Sequence, residues 1–391
     1  MTVAVALAVL LGAAVLVQRP WQQAGGGPAP TGVPERPEGV RSVSIDFEVV
    51  RDPATDWQEV DRRLDEAGAT GVEINAGRVE FTGFDWDAYP GAAAEPGTDH
   101  IARAIRALGT DADGTPRVIG LIVDGFVPKL IAEDPSRAAQ YANGTPAEAI
   151  ASATQLTGGE VGDRLVAYVA ALGERYAPAQ IAVTEIFLDF VGFGADDLAL
   201  FQEMTGEQDW PRTATGEPDE QSEVLGQWRT DVVTGLLGRM RAALDEVRDG
   251  EGARIRLAFE ARIDWADPAR GQLATGQRYE TLLTAADRLV IWAYLWPGHT
   301  PEEIEQVTAA LVAAGFDMSR FTVSVGLWAE GNPDPPGVLP VATMGEAVVE
   351  ASTNGVTDVN VTPYTLMGDD YWAELGRVWG GATGAGTTAT S

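Results

Sequence analysis

The 391-residue chain contains no cysteine. That excludes disulfides, thiolate zinc sites, a cysteine nucleophile and a lipidated cysteine anchor. His100 and His299 are its only two histidines, so a His-rich metal site is excluded and a Ser-His-Asp triad has two candidate bases. Lys129 is the single lysine and the one position open to Schiff-base chemistry. Cations are scarce throughout, with 27 Lys+Arg against 58 Asp+Glu and a formal net charge of −31. A phosphate-binding surface needs clustered cations, so this balance argues against nucleic acid or an anionic membrane as partner. Hydrophobic residues make up 45%, enough for a sizeable core. The length fits one large or two ordinary domains.

Residues 2–17 form an apolar run of Ala, Val and Leu broken only by Gly12. The run is short for a membrane span, which needs roughly 20 residues, and suits the core of a signal peptide. No basic residue precedes it and no clean Ala-x-Ala cleavage site follows. The reading is therefore a signal peptide or uncleaved anchor over residues 1–18, with the protein secreted or held on the outer face of the cytoplasmic membrane. Membrane attachment is expected through this segment alone. A Pro/Gly-rich linker over 19–41 follows, then a folded domain over 42–379. The Gly/Ala/Thr-rich tail, 380–391, is expected to be disordered.

Between residues 41 and 379 short β-rich runs alternate with longer helical patterns. The runs are 43–50, 71–74, 118–124, 181–190, 255–263, 288–295, 321–328 and 356–363. Most are continuously apolar, the mark of parallel strands buried on both faces. Apolar residues at helical spacing fill 57–67, 101–108, 161–176, 223–247, 279–286, 301–314 and 344–351, and a last helix is expected over 369–379. Thr300-Pro301-Glu302-Glu303 reads as a capping box with proline at the first helical position. Short Gly-containing turns lead from helix to strand, and longer loops lead from strand to helix. Eight such units predict a (β/α)₈ TIM barrel with its working loops at one end. An open doubly wound sheet is the runner-up, but no Gly-rich turn follows the first strand, and Asp46-Phe47-Glu48 there would repel a pyrophosphate. Large insertions are expected over 75–99 and 191–222.

Catalytic groups of a barrel sit at the C-terminal strand ends, and residues two apart share a face. These rules select a ring of polar groups: Asp46 and Glu48 on the first strand, Glu73 and Asn75 on the second, Asp124 on the third. Glu185 and Asp189 follow on the fourth, Glu260 with Arg262 on the fifth, and Glu330 at the end of the seventh. Burying so many acids costs several kcal/mol each unless they are paired or face a cleft. The fourth strand is expected to run to Phe190, so Asp189 lines the mouth and Glu185 falls about 13 Å lower, at roughly 3.3 Å per residue, in a deeper layer. Strands are about 4.8 Å apart, so Asp189 and Glu260 approach the roughly 5–5.5 Å separation of retaining glycosidases. Glu330 facing Asp189 across the mouth is a second geometry. Aromatic rings gather at the same ends: Trp265, Trp292, Tyr294, Trp296, Trp328 and Tyr364. Flat rings against sugar faces, with acids bonding the hydroxyls, describe a saccharide cleft.

The run Ile186-Phe187-Leu188-Asp189-Phe190-Val191 is similar to the hydrophobic-x-Leu-Asp-Tyr-x-Arg run of glycoside-hydrolase-like (β/α)₈ barrels of secreted bacterial proteins. Phe190 stands where that pattern has Tyr and Gly192 where it has Arg, removing one substrate or ion-pair contact. The order of Asp189 and Glu260 on strands four and five also resembles α-amylase-like and galactosaminidase-like barrels. That resemblance implies Asp189 as nucleophile and Glu260 as acid/base. The leading expectation is an exported glycosidase cleaving a polysaccharide with Asp189, Glu260 and Glu330 as catalytic candidates and no cofactor. Asp46, Glu48, Glu73, Asn75, Asp124, Arg262, Trp265, Tyr294, Trp296, Trp328 and Tyr364 are then the substrate-binding candidates. A barrel that binds glycan or cell wall without cleaving it is the alternative. A calcium- or magnesium-assisted hydrolase is a third reading, but Asp111-Ala112-Asp113-Gly114 lacks the later ligands of a calcium loop. No metal site is expected. His100 and His299 read as capping or surface residues.

Overall fold

A computed structural model describes residues 39–247 and 252–381. The expected leader, most of the linker and most of the tail lie outside these residues. No described helix is long and apolar enough to cross a membrane.

Eight parallel strands close into a barrel: β1 (Arg41–Ile45), β2 (Gly71–Arg78), β3 (Val118–Asp124), β4 (Gln180–Thr184), β5 (Arg256–Arg262), β6 (Arg288–Ala293), β7 (Phe321–Gly326) and β8 (Asp358–Thr362). Neighbours in sequence pair in register, and β8 returns to β1 through Arg41↔Val359 and Val43↔Val361. The fold is thus the (β/α)₈ barrel. Its outward strand residues, among them Val43, Val72, Leu121, Val183, Leu257 and Val323, are buried against the helical ring, which is why the runs read as continuously apolar.

Local chemistry sets the helix ends. Asp56 caps the 57–67 helix by accepting from Gln58 and Glu59, and Gly68 ends it in the left-handed conformation. The capping box at Thr300 forms, with the Thr300 N–H donating to Glu303 at 2.7 Å.

Three departures from the sequence reading bear on function. β4 stops at Thr184, six residues before the expected end, because Glu185 adopts φ 59° and turns the chain out of the sheet. The following apolar residues are buried all the same, with Ile186 and Leu188 tucked under the loop and the Leu188 N–H donating to Thr275 O at 3.1 Å. The β3–β4 connection carries an unexpected hairpin, Ala138–Gln140 with Pro146–Ala151, flanked by short helices. A second unexpected hairpin, Trp328–Pro333 with Pro336–Val338, rises from the end of β7.

The barrel interior is divided. Ile122, Ala182, Ala258 and Val290, from β3 to β6, form a closed apolar quartet. On the other side Asn360 of β8 accepts from Ser44 at 3.1 Å and Ser324 at 2.9 Å and donates to Ser42 at 3.0 Å. Below it Arg288 is ion-paired with Asp358, which also caps the Val40 N–H at 3.1 Å.

Candidate active site

A polar cavity of about 130 Å³ opens at the C-terminal end of the barrel, lined by Ser44, Asp46, Asn75, Asp124, Thr184, Glu185, Glu260, Trp292, Tyr294, Ser324, Trp328 and Thr362, with Ile45 and Ile122. Strand alternation explains most of the wall. Asp124, Thr184, Glu260 and Trp292 stand two positions above Ile122, Ala182, Ala258 and Val290, so the apolar quartet lies directly beneath the acids. Cross-strand register brings Asp124 level with Thr184, and Val183 level with Phe259, so Thr184 stands between Asp124 and Glu260.

The three acids of this wall differ in environment. Asp124 is compensated: it accepts from Arg78 Nε at 2.7 Å and from the Phe126 N–H at 2.9 Å. Glu260 accepts from the Trp292 indole at 2.9 Å, and burial pushes its carboxyl above the usual range against the help of Trp292 and Thr184. Glu185, carried into the cavity by its left-handed backbone, is pushed up to about 7. Burial is the largest cause, followed by the nearby charges of Asp124 and Glu260, with Arg262 and Arg78 opposing. Across the mouth Asp46 accepts from the Thr365 N–H at 3.0 Å, and burial raises its carboxyl too.

Two glycines make room for this arrangement. A Cβ at Gly120 would lie 1.8 Å from a Glu73 carboxylate oxygen, and one at Gly326 would lie 2.2 Å from the Tyr294 ring. A side chain at 326 would collide with the rigid Tyr294 ring, and one at 120 would displace the Glu73 carboxylate. Tyr294 stacks on Trp292 at 5.2 Å with the rings 2° from parallel, and its other neighbour is Trp328, 46% exposed at the rim.

Of the residues singled out from sequence for the mouth, Asp46, Asn75, Asp124, Glu260, Trp292, Tyr294 and Trp328 surround the cavity. The others lie elsewhere. Glu73 sits one storey lower, in a small void shared with Ser42, Gln180 and Asn360, and accepts from Gln180 at 3.4 Å. Glu48 is exposed on the short Phe47–Arg51 helix. Asp189, expected beside Glu260 at the mouth, is not among the residues that line the cavity. Because β4 ends early, Asp189 stands on the segment beyond the strand, ion-paired with Arg262 at 3.1 Å. Glu330 lies exposed on the second hairpin, where its carbonyl accepts from the Trp296 indole. Trp265 stacks on His299 at 4.1 Å, and Tyr364 packs against Trp372 at 5.7 Å. His100 is buried, its Nε2 3.1 Å from a Glu95 carboxylate oxygen, and burial lowers its proton affinity. Among the described residues no group of His, Asp and Glu is arranged to hold a metal ion.

Sequence reasoning placed Glu185 a storey too low. It also passed over Ser44, Thr184, Ser324 and Thr362, small polar residues on inward strand positions whose spacing alone would have selected them.

No family model matches the chain, and no curated protein matches it. Solved structures do. The glycoside hydrolase domain of PgaB (BpsB) from Bordetella bronchiseptica is 15% identical with a TM-score of 0.59, covering 85% of this chain and 95% of that one. The catalytic domain of β-amylase from Paenibacillus polymyxa gives 12% and 0.57, covering 85% and 94%. α-L-Fucosidase isoenzyme 2 from Paenibacillus thiaminolyticus gives 14% and 0.59, covering 88% of this chain and 49% of that one. At these identities the likeness is one of fold.

Proposed function

We propose that the protein is a glycoside hydrolase that cleaves a glycan by a two-carboxylate mechanism, with Glu185 as proton donor and Asp124 as the charged carboxylate. One observation carries this reading: two neighbouring carboxyls open into one cavity with opposite environments. Glu185 is raised to about 7, so it still holds its proton in mildly acidic solution and can give it to a leaving glycosidic oxygen. Asp124 is bound by Arg78 and a backbone N–H, the setting of a carboxylate that attacks the anomeric carbon or steadies positive charge there. Glu260, recessed beside them, sharpens the contrast by adding its charge to the field on Glu185.

The cavity of about 130 Å³ is small beside the roughly 300–1,000 Å³ of ordinary ligand pockets. A sugar ring dips into it while the rest of the substrate lies across Trp328. The fold neighbours, three of them glycoside hydrolases by name, support the same chemistry. Export, expected from residues 2–17, belongs to this proposal and suits an enzyme whose substrate lies outside the cytoplasm.

The test is a panel of oligosaccharides assayed for new reducing ends with the wild type, Glu185→Gln and Asp124→Asn. Hydrolysis by the wild type and its loss in both variants, with folding retained, supports the assignment. Binding without any reducing ends would favour a non-catalytic glycan-binding barrel.

A further inference from the structure

We propose that Asp189 is a positioning residue: it clamps Arg262 against the segment that leaves β4, and so fixes where the Glu185 carboxyl stands and how much positive charge it sees. The inference rests on the reading of Glu185 as proton donor. It begins with the backbone. A non-glycine residue at φ 59° is held there only if the chain beyond is anchored. Four contacts supply the anchor. Leu188 N–H donates to Thr275 O at 3.1 Å, and Arg229 donates to Val191 O at 2.9 Å. The buried Gln277 reaches both sides of the gap, accepting from the Arg262 N–H at 2.8 Å and donating to Ile186 O at 3.4 Å. The fourth is the ion pair of Asp189 with Arg262.

That pair belongs to a longer stack. Arg78 lies 5.7 Å above the Phe126 ring, Phe126 meets Phe187 edge-on at 5.9 Å, and Arg262 covers Phe187 at 4.1 Å and Trp292 at 5.8 Å. The stack runs around Glu185 from the Asp124 side to the Glu260 side. Each arginine is matched by its own aspartate, Arg78 by Asp124 and Arg262 by Asp189. The charged and titratable groups that act with Glu185 are Asp124, Glu260, Arg262, Arg78 and Tyr294. Arg262 and Arg78 pull its proton affinity down, and the other acids push it up. Neutralising Asp189 leaves the Arg262 charge uncompensated beside Glu185, whereas neutralising Arg262 removes that charge.

The experiment is a ¹³C NMR titration of the full chain labelled at glutamate Cδ, the Glu185 signal being assigned by its absence in Glu185→Gln. Asp189→Asn should lower the Glu185 midpoint by about half to one pH unit, and Arg262→Gln should raise it. The double variant should return it close to the wild-type value. A midpoint that is unchanged or raised in Asp189→Asn, or unchanged in Arg262→Gln, overturns the proposal. On a glycan that the wild type cleaves, Asp189→Asn should keep its rate near pH 5 within about tenfold, because the loss of a nucleophile costs a thousand-fold or more. A loss of that size would restore Asp189 as a catalytic residue and overturn the positioning role. Failure of the proton-donor reading looks different: Glu185→Gln would then hydrolyse as fast as the wild type, whatever the titrations read.

Discussion

The two halves of the barrel interior solve the same packing problem in opposite ways. From β7 through β8 to β1 the interior is polar, and Asn360 ties Ser42, Ser44 and Ser324 into one hydrogen-bonded knot. From β3 to β6 the layer under the acids is apolar, and the quartet Ile122, Ala182, Ala258 and Val290 offers them no hydrogen bond. A satisfied polar layer holds shape without perturbing its neighbours, whereas an apolar layer strips water from charges placed on it. Glu185 and Glu260 stand above the apolar half, and both are raised with burial as the first cause. Asp46, at the end of β1 over the polar half, is raised by burial as well, so the halves differ in what lines them: Asp46 has the Thr365 N–H to oppose the shift, while Glu185 also feels the charges of Asp124 and Glu260.

The comparison can be broken most forcefully at Glu185. Glu185→Gln should lower hydrolysis by roughly 10²–10⁴-fold, the usual contribution of a general acid, in steady-state assays. Wild-type activity should fall as pH rises through about 7, where Glu185 loses its proton; a rate flat to pH 9 would place the proton donor elsewhere. In the polar half, Asn360→Leu strands three serine hydroxyls and should cost about 3 kcal/mol in denaturant unfolding, while the Glu185 titration stays put. A smaller effect follows from linkage. A carboxyl raised in the folded state stabilises the fold below its unfolded value near 4.5, and that contribution is lost as pH rises through about 7. Glu185→Gln should therefore be more stable than the wild type at pH 8 by about 1–2 kcal/mol and equal to it at pH 4. Smallest of all, Val290→Thr puts a hydroxyl beside its register partner Glu260 and should slightly ease that carboxyl's raised proton affinity, read by the same titration.

Much of this architecture is legible in the residues alone. Buried parallel strands announce themselves as unbroken apolar runs, and Asp124, Glu260 and Tyr294 follow from strand ends and alternation. Glu185 escapes that logic because Ile186 and Leu188 extend the apolar run past the true end of β4. They are apolar for a different reason, burial under the loop beside Thr275, and only a tertiary contact distinguishes the two causes. Asp189 was misplaced by the same error. The contact between Trp296 and Glu330 depends on a hairpin whose short strands, with Pro333 and Pro336 among them, carry little alternation to read.

The claim that Glu185 delivers the proton is tested most directly by leaving-group dependence. On a glycoside that the wild type cleaves, Glu185→Gln should be slowed by about 10²–10⁴-fold when a sugar departs. The same variant should lose far less when a dinitrophenolate departs, since that group leaves without a proton. Equal losses on both substrates would contradict the account.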